Sequence, residues 1–221
     1  MQRWRATNRR RSIRLRSTDC GSAFRSACRC RIWTQPSRRG FPLRKRRLTA
    51  PACALTEESI DRFLDAMVRI NTKSGGFAPV EAYSIHRERL AAHGADYDPN
   101  VRARIEVGRN LSAADYVAMT RERAALVRAI DSHLADLDGL LLPTTPIVAP
   151  TIAEVSTREV FGAKNVLMLR NTSFVNFYDL CAISLPLRGD GLPVGLMLVA
   201  RNGHDHRLFR IAAAVERLLS R

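Results

Sequence analysis

From residue 56 onward, apolar positions in this chain recur at helical spacing, interrupted by three short runs with no helical period. "TEESIDRFLDAMVRIN" predicts a helix with Thr56 as N-cap, Glu57 and Glu58 in its first turn, and Ile60, Phe63, Leu64, Met67 and Val68 on one face. "KSGGF" breaks it, and Pro79 opens a second helix that closes at Gly94. Asp98 and Pro99 start a short helix running to Val107 and ended by Gly108. Ser112 and Asp115 form a capping box ahead of a long stripe through Tyr116, Met119, Val127, Ile130, Leu134 and Leu137. After Gly139 the period changes. "LLLP" is a continuous apolar run stopped by Pro143, the pattern of a strand covered on both faces, and "AISLP" and "VGLMLVA" repeat it. Between the first two, helical spacing begins at Asn165, and the last element is a helix with Leu208, Ile211, Ala212, Val215, Leu218 and Leu219 inward. Helices alternating with short buried strands predict an α/β protein.

Charge divides the chain. Of its 36 Lys and Arg and 21 Asp and Glu, residues 1–50 hold sixteen basic residues and one acid, Asp19, so the whole net charge of +15 lies there and the body is balanced. Residues 1–50 show neither a 3.6 nor a 2.0 apolar period and too few aliphatic residues to offset chain entropy, which predicts an Arg-rich disordered tail beside a body of residues 51–221. Three readings of the tail stand side by side. It is a basic nucleic-acid-binding arm, a transit-type leader rich in arginine and serine, or the patternless product of a GC-rich frame translated from a wrong start.

Cys20, Cys28, Cys30 and Cys53 lie in or just after the tail, but Cys28 and Cys30 have a single residue between them and no histidine near, which is not zinc spacing. His204 and His206 flank Asp205, which is expected to cap the last helix rather than join a metal site. No cofactor or metal is expected. No apolar run approaches the ~18 residues that span a bilayer, so a cytoplasmic, reducing setting is expected, with Cys181 a buried free thiol and no membrane partner.

Three stretches in order, "DGLLLPTTPIVAPTI", "RNTSFVNFYDLCAISLP" and "GLPVGLMLVARNGHDHRLFRIAAAVE", resemble the C-terminal third of amidase-signature enzymes, and the likeness extends over about residues 55–221. The resemblance implies the C-terminal part of that α/β fold, helices packed on a small mixed sheet that is incomplete relative to the family. "LCAISLP" and "VGLMLVA" would then be two inner strands. The resemblance implies hydrolysis of carboxylic amides by a Ser-Ser-Lys triad that lies in the family's N-terminal half, around a Gly-Gly-Ser-Ser-Gly-Gly-Ser loop whose N–H groups hold the oxyanion. No such loop occurs here. Lys73, Ser74, Gly75 and Gly76 imitate it in composition only and read as a helix-ending turn. Tyr178 and Asp179 stand where relatives carry Ala-Gly or Thr-Gly, and Cys181 where they carry Pro.

The resemblance implies substrate-facing positions at Thr144, Thr145, Asn171, Thr172 and Asn176, against the alternative that these side chains only cap helices and turns. The helix "NVLMLRNTSFVN" lacks the acid that glutamine-accepting relatives place there, which favours an apolar or aromatic amide. Such a chain is expected to be inactive alone. The alternatives are a non-catalytic subunit completing an amidase site with a separate N-terminal half, and a nucleic-acid-binding protein acting through the tail, the less favoured of the two. With strands that normally pair beyond its own length, the body is expected to leave a strand edge and an apolar face uncovered, and to self-associate or take a partner.

Overall fold

The computed structural model describes residues 12–15, 28–32, 53–57, 59–187 and 191–219. Residues 61–129 form one compact unit, and the flanking segments, up to residue 60 and from 130 onward, form the other.

The 61–129 unit is helical. Helix α1 (Asp61–Ser74) buries Phe63, Ala66, Met67 and Ile70, while Val68 is exposed. The stripe is thus set by positions 63, 66, 67 and 70, and Val68 falls off it. Thr56 is not the N-cap: it lies in a strand, and the helix starts at Asp61. Gly75 and Gly76, with φ of 73° and 82°, turn the chain into α2 (Phe77–His93), with Pro79 in its first turn. The carboxylate of Asp98 accepts from the N–H groups of Asn100 and Val101 at 2.9 and 3.1 Å and starts α3 (Pro99–Glu106). Gly108 follows. A Cβ there would lie 2.1 Å from the Pro79 carbonyl oxygen, so only glycine lets this turn rest on α2. Ser112 accepts from the Asp115 N–H at 3.1 Å and donates to its carboxylate at 2.6 Å, capping α4 (Ala113–His133), which carries the chain onward into the second unit.

The second unit is built on a sheet. β4 (Gly139–Pro143) pairs antiparallel with β6 (Val194–Ala200), and β6 with β5 (Cys181–Leu187), giving a three-stranded antiparallel sheet with β6 in the middle. Three short strands extend it in the order β1-β3-β2-β4-β6-β5. Of these, β2 (Cys28–Ile32) lies parallel to β4 through Cys30 to Ile32, β3 (Cys53–Glu57) is parallel to β2, and β1 (Ser12–Leu15) is antiparallel to β3. The sheet is therefore small and mixed. The expectation of disorder covers residues 1–50; of these, 12–15 and 28–32 are β1 and β2, and the others lie outside the described residues.

Leu141 of β4, Leu185 of β5, and Leu196, Leu198 and Ala200 of β6 pack against Leu208, Ile211, Ala212 and Val215 of α6 (Asp205–Leu219). Burying one such Leu, Ile or Val contributes about 1.5–3 kcal/mol, so this face anchors the unit. β4 is buried through Leu140, Leu141 and Leu142, as its apolar run predicts. β5 departs from expectation: Ala182, Ser184 and Pro186 are exposed, and its outer side has no partner strand among the described residues, which makes it an edge where Pro186 is tolerated. α5 (Arg158–Phe177) starts seven residues earlier than its apolar spacing indicates. The Thr157 hydroxyl accepts from the Val160 N–H at 3.3 Å, and Gly162 masks the continuity of the helix in the sequence.

Candidate functional site

β4 points its C-terminal end at the residues of interest. The Thr144 N–H donates to the Gly195 carbonyl at 2.9 Å, so the β4–β6 ladder runs one residue past Pro143. Because successive strand residues face opposite ways, the register puts Leu140, Leu142 and Thr144 on one face with Val199, Met197 and Gly195, and with Ala182, Ser184 and Pro186 of β5. This is the face opposite the α6 core. On it, Thr144 Oγ1 and Ser184 Oγ form a hydrogen bond of 2.5 Å across β6. They meet over Gly195, where a Cβ would stand 2.5 Å from each oxygen. The missing side chain of Gly195 is what permits the hydroxyl pair.

Asn171 secures the same strand end from α5. It is 1% exposed, and its Nδ2 donates to the Pro143 carbonyl at 2.6 Å. Its Oδ1 accepts from Arg170 Nε and Nη2 at 3.3 and 3.2 Å. Burial lowers the Arg170 guanidinium to about 10, and it stays charged at neutral pH. A buried amide bonded to a strand-end carbonyl and a half-buried cation makes a rigid polar corner.

The five positions implied by the resemblance do not converge. Thr144 and Asn171 meet at the end of β4. Thr145 donates to the Ile147 carbonyl at 2.9 Å within its own turn. Thr172 donates back to the Leu169 carbonyl at 3.0 Å, and Asn176 is exposed four residues further along the same helix face. One helical step turns the side chain by about 100°, so Thr172 and Asn176 lie on a different face of α5 from buried Asn171. Ser184, Gly195 and Arg170 were missed from sequence, because they enter only through strand register and helix packing.

α5 ends in a hydrogen-bonded reversal. The Leu180 N–H donates to the Val175 carbonyl at 3.1 Å and the Asp179 N–H to the Asn176 carbonyl at 3.3 Å, a Schellman arrangement whose left-handed residue is Asp179, φ 53°. That is the position where the resemblance implies glycine. Tyr178, 1% exposed, packs its ring 4.9 Å from those of Phe174 and Phe177.

Cys181 is half-buried rather than buried. Its thiol donates to the Arg201 carbonyl at 3.2 Å, and burial, then the Asp205 charge, push it up, so it is a poor nucleophile. Asp205 is the first residue of α6, and the His204 carbonyl accepts from the Leu208 N–H at 2.9 Å, so His204 occupies the cap position expected for Asp205. Among the described residues no three His, Cys, Asp or Glu side chains cluster as a metal site. The side chains of Lys73 and Ser74 lie outside the described residues, and Gly75 and Gly76 form the helix-ending turn. No described helix is long and apolar enough to cross a membrane.

A helical protein with this sheet, strand end and cap has close counterparts. The family described as Amidase matches residues 53–209. The chain belongs to the amidase family. It is 30% identical over 179 residues to 2-amino-5-chloromuconic acid deaminase of Comamonas testosteroni, a match covering 78% of this chain and 35% of the deaminase. It is 32% identical over 147 residues to the glutamyl-tRNA(Gln) amidotransferase A subunit of Lacticaseibacillus casei, covering 64% of this chain and 30% of that relative. Among solved structures, Kluyveromyces lactis allophanate hydrolase superposes with a TM-score of 0.70 at 22% identity, over 87% of this chain and 32% of its own. The chain thus spans about a third of the length of these proteins.

Proposed function

We propose that this chain is the C-terminal portion of an amidase, which supplies one wall of a site for a carboxylic amide and does not hydrolyse the amide alone. The observation that carries this reading is that the amidase match runs over residues 53–209 while no Gly-Gly-Ser-Ser-Gly-Gly-Ser run occurs anywhere in the sequence. Acyl transfer needs a nucleophile, a base and N–H donors aimed at the developing oxyanion, and their joint absence removes the transition-state stabilisation itself.

In this reading the β4 end, held by Asn171 and by the Thr144–Ser184 pair, is the rigid part of the wall. Thr172 and Asn176 offer polar groups on the outward side of α5. The nucleophile comes from an N-terminal portion outside this chain. The named deaminase and amidotransferase relatives both describe C–N bond chemistry, in keeping with an amide substrate. The α5 segment 165–176 carries no acid to receive a substrate ammonium, which favours an apolar or aromatic amide over glutamine. Residues 1–50, which lie outside the matched segment 53–209 and lend β1 and β2 to the sheet, take no part in the site. The setting is the cytoplasm.

Aryl amide and aryl ester hydrolysis by the purified chain tests the reading. No turnover is expected. Turnover abolished by a serine-directed fluorophosphonate would overturn it.

A further inference from the structure

β2 and β3 run parallel, and their register sets Cys28 beside Cys53 and Cys30 beside Leu55. Neighbouring strands lie about 4.8 Å apart, and residues in register across a parallel pair fall on one face of the sheet. That spacing lies inside the window of about 4.4–6.8 Å between Cα atoms that a disulfide spans. The register also chooses among the cysteines. Cys30 stands between Leu55 of β3 and Gly139 of β4, so neither adjoining strand sets a cysteine beside it. It follows Cys28 by two positions along one strand, about 6.6 Å at the extended rise, the far limit of the window. Cys181 belongs to β5, and in the order β1-β3-β2-β4-β6-β5 it is four strand spacings, about 19 Å, from Cys53.

We propose that Cys28 and Cys53 form a redox-responsive disulfide, closed by exchange with a small anionic disulfide of the glutathione type, which ties the Arg-rich segment to the amidase body. The amidase match begins at Cys53, and Cys28 precedes it, so the bond joins a strand outside the family segment to the first strand inside it. Charge selects the co-reactant. Residues 1–50 carry sixteen basic residues and one acid, and glutathione disulfide is anionic at neutral pH, so the segment draws it in. The Cys28 thiolate attacks one sulfur of glutathione disulfide, releasing one glutathione and leaving a mixed disulfide; the Cys53 thiolate then attacks the Cys28 sulfur and releases the second glutathione. Both cysteines are oxidised, the one glutathione disulfide is reduced to two glutathiones, and these take up the two cysteine protons. In a reducing cytoplasm such a bond is transient, so the pair rests as thiols and closes when the glutathione pool is oxidised. Once closed, the bond holds β2 in its place between β3 and β4.

The test is to equilibrate the purified full chain with glutathione disulfide, quench in acid, alkylate the remaining thiols and map tryptic peptides by mass spectrometry. Arg29 lies between Cys28 and Cys30, so trypsin separates the two and the bond is assigned without ambiguity. The expected product joins Ser26–Arg29 to Leu48–Arg62, two hydrogens lighter than the two peptides together, and dithiothreitol reverses it. It should account for the majority of cross-linked Cys53 in the folded chain. In urea the register is lost, and Cys20, Cys28 and Cys30 should then share Cys53. Cys30→Ser should keep the cross-link and Cys28→Ser should remove it. Oxidation should slow amide exchange across residues 28–32 by at least about tenfold. Glutathione adducts without the cross-link, a Cys53 bond spread evenly over Cys20, Cys28 and Cys30 in the folded chain, or exchange across 28–32 that oxidation leaves unchanged overturns the proposal. None of these outcomes touches the amidase reading, which falls instead if the chain by itself hydrolyses an amide.

Discussion

Replacing Asn171 by Ala removes the side chain that closes the end of β4, while replacing its neighbour Thr172 by Ala removes one that bonds only to its own helix. Asn171→Ala leaves the carbonyl of half-buried Pro143 without the amide that donates to it at 2.6 Å, a loss of about 1–3 kcal/mol. The vacated volume, at a residue 1% exposed, adds about 1 kcal/mol. Alanine's higher helix propensity returns about 0.5 kcal/mol. The net destabilisation is about 2.5 kcal/mol, which at a urea dependence of about 2 kcal/mol per molar lowers the unfolding midpoint by about 1.2 M. Thr172→Ala trades an i−3 hydrogen bond for a better helix former, and the midpoint should move by less than about 0.3 M. Urea titration followed by far-UV circular dichroism at pH 7 reads both, with an unchanged slope showing that the denatured state is not what moved. Equal shifts for the two variants, or a shift below about 0.3 M for Asn171→Ala, would refute the assignment of Asn171 as the residue that holds the strand end.

Asp179→Gly should stabilise the protein by about 0.5–1 kcal/mol in the same titration, because glycine adopts φ 53° without the cost a Cβ incurs, and a loss of stability would show that the Asp side chain outweighs that strain. Gly108→Ala should cost about 3 kcal/mol or more, since the new methyl meets backbone atoms of Pro79 and Val80 that cannot rotate away; a melting temperature within about 2 °C of the parent would contradict the close approach. Arg201 binds Asp131 through two hydrogen bonds of 2.7 and 2.8 Å and holds its carboxyl below the usual value. The pair's contribution is therefore present above about pH 4 and lost as pH falls through the lowered folded value, and both side chains are partly exposed, so it is about 1 kcal/mol or less. Arg201→Met should bring the stabilities of parent and variant together once the pH has fallen through the lowered folded value of Asp131, and a gap that persists in acid would assign the difference to packing instead.

Local chemistry decided the helices. The Asp98 and Ser112 caps, the glycine break at 75 and 76, and the inward Leu208, Ile211, Ala212 and Val215 of α6 were all legible, because each depends on residues within a few positions of one another. The three apolar runs were legible as strands for the same reason, as was the likeness to amidases that the family match bears out. What a neighbour far along the chain decides was not. Thr56 satisfies every local condition for an N-cap, yet a strand takes it up. "AISLP" looks like a strand buried on both sides and lies at an edge, since nothing in seven residues records what packs outside them. Thr144 and Ser184 are forty residues apart, and their hydroxyls meet only because both strands pair with β6 in a register that sets a bare glycine between them. A single slip of that register would turn Thr144 to the other face, so the position of its hydroxyl is a property of the assembled sheet rather than of any stretch of sequence.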